Sequence, residues 1–317
     1  MRLRTLLLSF ALLLNVFLAV PATAAETGAR IIRSTTLSER LVELAVRSDA
    51  LGGKEVGVRV LLPAGYREQP GRRWPTLFLL HGCCEGETGY RSWTVNMDGA
   101  AATAAARALV VMPEGGAAGF YSNWISGGPA WERFHLVELK RLLEKEFRVN
   151  QRRAVAGLSM GGFGALSYAA RHPGFFSYAA AYSGVVHTRY QGARSTDLVQ
   201  RILTERGFDK NVLWGDPVAQ ERLWRAHNPF DLAARLRHTP VHLSTGDGRP
   251  GPLDPPGSGR DWVEELLGEQ TVSLAEELRR NGVRVSTDLY GAGRHTWPYW
   301  ERALKRSLPM LLRAIGG

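Results

Sequence analysis

Apolar and polar positions alternate along the chain in two rhythms, one suited to strands and one to helices. Ile31–Thr36, Leu41–Arg47 and Val56–Leu62 read as strands, the last two with alternating character. Pro63-Ala64-Gly65-Tyr66 closes that opening sheet edge. Thr76–Leu80 and Leu109–Met112 are continuous apolar runs, as expected of strands buried on both faces. The alanine-rich Gly99–Ala106 between them predicts a crossover helix. Trp131–Phe147 gathers Trp131, Phe134, Val137, Leu142, Leu143 and Phe147 on one broad face, with charged residues opposite, and predicts an amphipathic helix.

Ala154–Leu158, Tyr178–Tyr182, Val241–Thr245 and Val283–Tyr290 predict further strands. A helix-compatible segment runs to Ala170, and Asp261–Asn281 and Trp300–Ile315 predict two more helices. Strands alternating with helices of this length imply an α/β fold with a mainly parallel sheet covered on both faces. There is no internal repeat and no linker long enough to divide the chain, so residues 25–317 are expected to form one domain. Val186–Leu236, between two core strands, predicts either a lid or side wall or an ordinary surface connection. Gly246–Gly259 is rich in Pro and Gly and follows the carboxyl end of a strand, where open α/β sheets place ligands.

The first residues read as an export signal rather than as fold. Arg2 and Arg4 precede the apolar run Leu6–Val20, and Ala22 and Ala24 form an A-x-A arrangement, predicting cleavage after Ala24. The mature protein is therefore expected outside the cell or in its envelope. The chain has 317 residues and a formal net charge of +10, carried by arginines spread along its length. Such a surface could favour peripheral contact with anionic envelope components, although arginine-rich coding bias is the readier explanation of the same fact. No nucleic-acid motif or basic stripe interleaved with aromatics occurs, so nucleic acid is not an expected partner. Neither C-x-x-C nor H-E-x-x-H occurs, so no metal is expected, and no organic cofactor is implied. The two cysteines, Cys83 and Cys84, are adjacent, and a bond between neighbours is not what would hold such a fold together.

The chemistry centres on Val155-Ala156-Gly157-Leu158-Ser159-Met160-Gly161-Gly162. Gly157, Ser159 and Gly161 fill a G-x-S-x-G pattern with a strand before it and a helix after it. Ser159 is the expected nucleophile, and the backbone N–H of Met160 points where an oxyanion would form. A serine hydroxyl is a weak nucleophile until a histidine takes its proton, and that histidine needs a carboxylate to fix its tautomer. Of the eight histidines only His295 follows the last predicted strand, in a glycine-bearing loop able to carry it over Ser159. His135 and His172 have solvent-facing or capping explanations, and His242 reads as a packed core residue. The acid is open at this point between Asp247, Asp254 and Glu264. A second oxyanion donor is expected from the loop His81-Gly82-Cys83-Cys84-Glu85-Gly86, with the N–H of Cys83 as candidate. A Cys83 thiol beside a reacting ester would make such a site sensitive to oxidation.

Several stretches together resemble the esterase D-like branch of the α/β hydrolases, and most closely the secreted mycolyltransferases. They are Leu109-Val110-Val111-Met112-Pro113, Phe120-Tyr121-Ser122-Asn123-Trp124, Gly157-Leu158-Ser159-Met160-Gly161, Gly246-Asp247-Gly248 and His295-Thr296-Trp297-Pro298-Tyr299-Trp300. Trp262-Val263-Glu264 is similar to the aromatic-aliphatic-Glu segment that carries the triad acid in that family. The resemblance implies an α/β-hydrolase fold, Glu264 as the acid ahead of Asp247 and Asp254, and Trp297 at the border of an acyl-acceptor pocket. It implies an exported serine esterase or acyltransferase acting on acyl esters or lipids through an acyl-enzyme. Water or a carbohydrate or glycerol hydroxyl would take the acyl group; a catalytically silent secreted binding protein is the rival of another class. Cys84 stands where the family carries an arginine that holds trehalose, Glu85 and Glu87 loosely replace its acids, and Gly161-Gly162 replaces its Ser-Gly. The trehalose-holding set therefore does not carry over.

Overall fold

The computed structural model describes residues 28–84, 88–97, 103 and 106–317. The predicted leader, Glu85, Glu87 and most of the predicted helix Gly99–Ala106 lie outside the described residues. Among the described residues nine strands form one sheet: β1 (Ala29–Thr36), β2 (Leu41–Ser48), β3 (Lys54–Leu61), β4 (Trp74–Leu80), β5 (Leu109–Pro113), β6 (Val149–Leu158), β7 (Tyr178–Tyr182), β8 (Val241–Thr245) and β9 (Val285–Leu289). Their spatial order is β1-β2-β3-β5-β4-β6-β7-β8-β9. β1, β2 and β3 form antiparallel hairpins, β3 joins β5 antiparallel, and every pairing from β5 to β9 is parallel.

The main helices are α1, running as Trp131–Arg133, a π-helical Phe134–Leu139 and Lys140–Glu146; α2 (Met160–Arg171); α3 (Ala193–Glu205); α4 (Glu221–His227); α5 (Trp262–Arg280); and α6 (Trp297–Ile315). The continuous apolar strands are explained by two separate cores. On β4, Phe78 and Leu80 face one cluster while Leu77 and Leu79 face the other. The first cluster takes the apolar faces of α2 and α5, and the second takes Trp300, Leu304 and Leu311 of α6. Both sheet faces are thus covered.

β6 starts five residues before the predicted Ala154: Val149 pairs with Trp74 and Arg153 with Thr76 of β4, and a register shift between them takes up the polar stretch Asn150–Arg152. α6 begins at Trp297 rather than at the predicted Trp300, since Pro298 sits where a helix needs no backbone donor. Val186–Leu236 carries α3 and α4 and is pinned by Trp214 and Trp224, both fully buried. Trp214 lies 5.2 Å from Phe163 of α2 and 5.9 Å from Phe120, so this region is a packed side wall rather than a loose connection. Among the described residues no helix is long and apolar enough to cross a membrane.

Candidate active site

β6 delivers the chain to Ser159 at the centre of the sheet's carboxyl edge, and α2 leaves it at once. Ser159 has φ 52° and ψ −118°, a conformation that a residue with a Cβ adopts only under constraint. Its N–H donates to the Tyr182 carbonyl at 2.9 Å, and its own carbonyl accepts from Phe163 and Val185 at 3.2 Å each. Glycines make the turn sterically possible. A Cβ on Gly157 would lie 2.2 Å from the Gly161 carbonyl oxygen, and one on Gly161 would lie 2.3 Å from that of Leu80. Met160 is buried behind the turn, and its sulfur accepts the Phe120 N–H at 3.3 Å.

The loop after β4 passes directly beside this turn. A Cβ added to Gly82 would meet the Ser159 Cβ at 3.5 Å, which places Cys83 one residue further along the same edge. Cys83 and Cys84 are joined as a disulfide, so the free thiol expected of Cys83 is corrected: the sulfur is bonded to its neighbour. Cys84 takes φ 77° and donates its N–H to the Ala117 carbonyl at 2.8 Å, tying this loop to the one after β5. His81, fully buried, accepts the Gly115 N–H on Nε2 at 2.8 Å, and Glu114 accepts from Gly116 and Tyr90. These contacts hold the loops after β4 and β5 against each other.

His295 lies in the loop between β9 and α6, and its Nδ1 is 2.8 Å from Glu264 Oε2. An ionised carboxylate can only accept, so Nδ1 carries the proton and the Nε2 lone pair is left to take another. Glu264 is fully buried in the first turn of α5. Its Oε1 accepts from the Gly246 N–H (2.7 Å), Ser183 Oγ (2.8 Å) and Thr245 Oγ1 (3.0 Å). Burial pushes the Glu264 carboxyl pKa up, but the His295 ring, the Gly246 N–H and the Ser183 hydroxyl outweigh it and leave the pKa below the ordinary value. Ser183, itself at φ 43°, also accepts the Trp300 indole N–H at 3.2 Å, and Trp300 meets the His295 ring edge-on at 4.8 Å. The turn Ser183–Val185 therefore touches both halves of the site: Ser183 holds Glu264, and Val185 donates to Ser159.

The other two carboxylates considered from sequence are elsewhere engaged. Asp247 is paired with Arg249 on the surface, and Asp254 accepts from Tyr299 and the Gly251 N–H. Trp297 is half-buried and packs edge-on against Trp93 (5.5 Å) and Trp300 (5.3 Å). His135 is not solvent-facing, as its helical position had suggested: it is buried between Tyr168 and the Glu114 carbonyl, at 2.8 Å from each. His172 does cap α2 and reaches Glu132 at 2.9 Å, and His242 is packed in the core against Ser286. Sequence reading missed Ser183, Thr245 and Asp261. Asp261 alone carried a signal, as an Asp-x-x-Glu helix start.

A cavity of about 650 Å³ between the β2–β3 hairpin and the loop after β5 is lined by Leu44, Leu51, Tyr90, Trp124, Trp131 and Phe208 among others, and by neither Ser159 nor His295. A second cavity of about 730 Å³, bordered by Thr245, Gly246 and Asp247, is likewise lined by neither, so convergent polar groups and not cavity size locate this site. Among the described residues no group of three or more His, Cys, Asp or Glu side chains is placed to hold a metal ion.

Comparison with known proteins agrees with this architecture. Esterase Rv1288 of Mycobacterium tuberculosis is 33% identical over 259 residues, covering 80% of this chain and 54% of that protein, so the chain spans about half the length of this curated relative. Diacylglycerol acyltransferase/mycolyltransferase Ag85B of Mycobacterium leprae is 28% identical over 284 residues, covering 86% of this chain and 83% of that protein. The crystal structure of Mycobacterium tuberculosis MPT51 (FbpC1) superposes with a TM-score of 0.70 at 24% identity, covering 86% of this chain and 97% of that one, and shares the α/β-hydrolase fold. Residues 48–311 match the family described as putative esterase, and the chain belongs to that family.

Proposed function

We propose that the protein is an exported serine esterase or acyltransferase that works on carboxylic esters through an acyl-enzyme, with residues 25–317 as its catalytic domain. Ser159 Oγ attacks the ester carbonyl while His295 Nε2 takes its proton. The N–H groups of Met160 and Cys83 receive the oxyanion. His295 then returns the proton to the leaving alcohol, and water or a hydroxyl acceptor resolves the acyl-Ser159 ester with His295 again as base. Glu264 keeps the imidazole in the required tautomer and stabilises its charged form. The observation that carries this reading is the 2.8 Å pairing of a fully buried carboxylate with His295, joined through Ser183–Val185 to a serine held at positive φ.

Transfer to a glycerol or sugar hydroxyl is the second reading. It is favoured by the relative named as a diacylglycerol acyltransferase/mycolyltransferase and by the half-exposed Trp297 at the start of α6. The leader-like start supports work outside the cytoplasm. Ser159→Ala is expected to abolish p-nitrophenyl acetate turnover and fluorophosphonate labelling with the melting temperature retained. Undiminished turnover would remove the serine mechanism, and wild-type protein inert to both reagents would favour a silent binding protein. Adding glycerol to the same assay separates the two readings, since a transferase gives acylglycerol in place of free acid.

A further inference from the structure

We infer that Asp261 is a positioning residue for catalysis, a single carboxylate that holds the helix start bearing Glu264 and the loop bearing His295 in one frame. This rests on the reading of Ser159, His295 and Glu264 just given. Asp261 is the N-cap of α5: its Oδ1 accepts from the N–H groups of Val263 (3.1 Å) and Glu264 (3.3 Å). Its Oδ2 accepts the backbone N–H of His295 at 3.0 Å. The Asp261 N–H donates to the Gly248 carbonyl at 2.8 Å, and the Gly248 N–H donates to the Gly293 carbonyl at 3.0 Å. Three segments far apart in sequence therefore meet at this residue: the loop after β8, the first turn of α5 and the loop after β9. Gly248 permits the approach, at φ 79° and with the Asp261 carbonyl oxygen only 2.3 Å from where a Cβ would stand.

The reason for an aspartate follows from its two oxygens. Serine or asparagine caps a helix about as well, because one oxygen suffices for the free N–H groups. Neither can also present a second acceptor to His295. The stretch Gly291-Ala292-Gly293-Arg294 has no regular structure and enters at φ 74°. Backbone bonds tie its glycines to the loop after β8, with Asp247 donating to the Gly291 carbonyl at 2.8 Å and Gly293 donating to the Arg249 carbonyl at 2.7 Å, while Asp261 holds the amide of His295 itself. Glu264 holds the ring at Nδ1 and Asp261 holds the backbone nitrogen three bonds from it, so the residue is anchored at both ends. Asp261 touches no reacting atom and acts only through His295 and Glu264.

The separating variants are Asp261→Ser and Asp261→Asn, compared with Asp261→Ala in the full mature chain. The first two are expected to keep the melting temperature close to wild type while kcat on p-nitrophenyl acetate and the fluorophosphonate labelling rate both fall by about tenfold or more, with KM changed less than about twofold. Hydrogen exchange at the His295 amide should accelerate in both. Asp261→Ala should lose stability as well as rate. A kcat within about twofold of wild type in Asp261→Ser, or losses in Asp261→Ser that track stability alone, overturns the inference. Ser159→Ala in the same assay tells the two failures apart: if it stays active the reading of the whole site falls, and if it is dead while Asp261→Ser is fully active only the role of Asp261 falls. Should the variants not fold, the wild-type His295 amide still decides, because exchange as fast as an open loop amide contradicts the bond on which the inference stands.

Discussion

Glu264 shows how a buried charge is made tolerable. Five donors converge on it, counting His295, Gly246, Ser183, Thr245 and, at 3.5 Å, Tyr290, so its desolvation is met by hydrogen bonds to the charged form. Glu132 repeats the device away from the site. Burial pushes its pKa up, but bonds from His172 and Arg171 outweigh this and bring it down to about 2. A carboxyl whose folded pKa lies below its unfolded value stabilises the fold above the unfolded pKa and loses that contribution as pH falls through the folded one. Glu132→Gln should therefore lower the melting temperature most above pH 4.5, and the gap to wild type should close as pH falls towards 2. A gap independent of pH in that window would separate the ion pair from stability. Histidines 135, 187 and 227 go the other way: burial holds each at about 4, so they remain neutral packing groups near neutrality. At this scale Ser159 and His295 were legible from motif and chain order. Glu264 was reached only through the family resemblance, and the Ser183 and Thr245 hydroxyls around it were not reached at all, because these partners come from other segments of the chain.

Among the elements, the strand–turn–helix of β6 and α2 is the most tightly specified. Gly161 packs under the last carbonyls of β4, Gly162 lies against Gly184, and Gly164 leaves room for the Tyr121 ring. Gly161→Ala would put a methyl group 2.3 Å from the Leu80 carbonyl oxygen and 2.6 Å from that of His81, where only backbone could yield. The expected outcome is a protein that fails to accumulate in soluble form, or one whose lowered melting temperature accompanies complete loss of esterase turnover; a soluble variant with wild-type turnover would contradict the packing argument. The paired loops opposite are equally constrained. Phe120 and Tyr121 both take positive φ, and Tyr121 thereby sends its hydroxyl to the His81 carbonyl at 2.9 Å. The apolar pattern predicted α1 as one regular helix, and it could not show the π-helical turn that seats His135 against Tyr168. The stripe also put Val137 on the buried face, yet Val137 is exposed and Glu138 buried, because the π-helical winding shifts the phase at which side chains meet the core.

Over the molecule as a whole, the sheet divides the interior into two clusters, and each must be closed by helices distant in sequence. α6 closes the second with Trp300, Leu304, Leu308, Leu311 and Ile315, while its first turn lies directly after His295. Core and site thus share one element. Leu311→Ala, at a fully buried position, should cost about 2–5 kcal/mol in urea unfolding. A cost below about 1 kcal/mol would mean that α6 is not needed to seal this face. The Cys83–Cys84 disulfide contributes nothing comparable at this scale, because a bond between neighbours closes no loop in the unfolded chain.

By itself the sequence determined the alternation of strands and helices, the central G-x-S-x-G turn and the late histidine. Those are properties of local periodicity, of glycine spacing and of order along the chain. Tertiary structure decided which carboxylate meets His295, that Asp261 binds the same histidine from its backbone side, that His135 is buried and that the adjacent cysteines are paired. The first three outcomes depend on which segments the fold brings together, with partners 31, 34 and 33 residues apart along the chain, and contact between separate segments is not encoded in the spacing of any one of them. Whether the adjacent thiols join is decided by the turn of the loop that carries them.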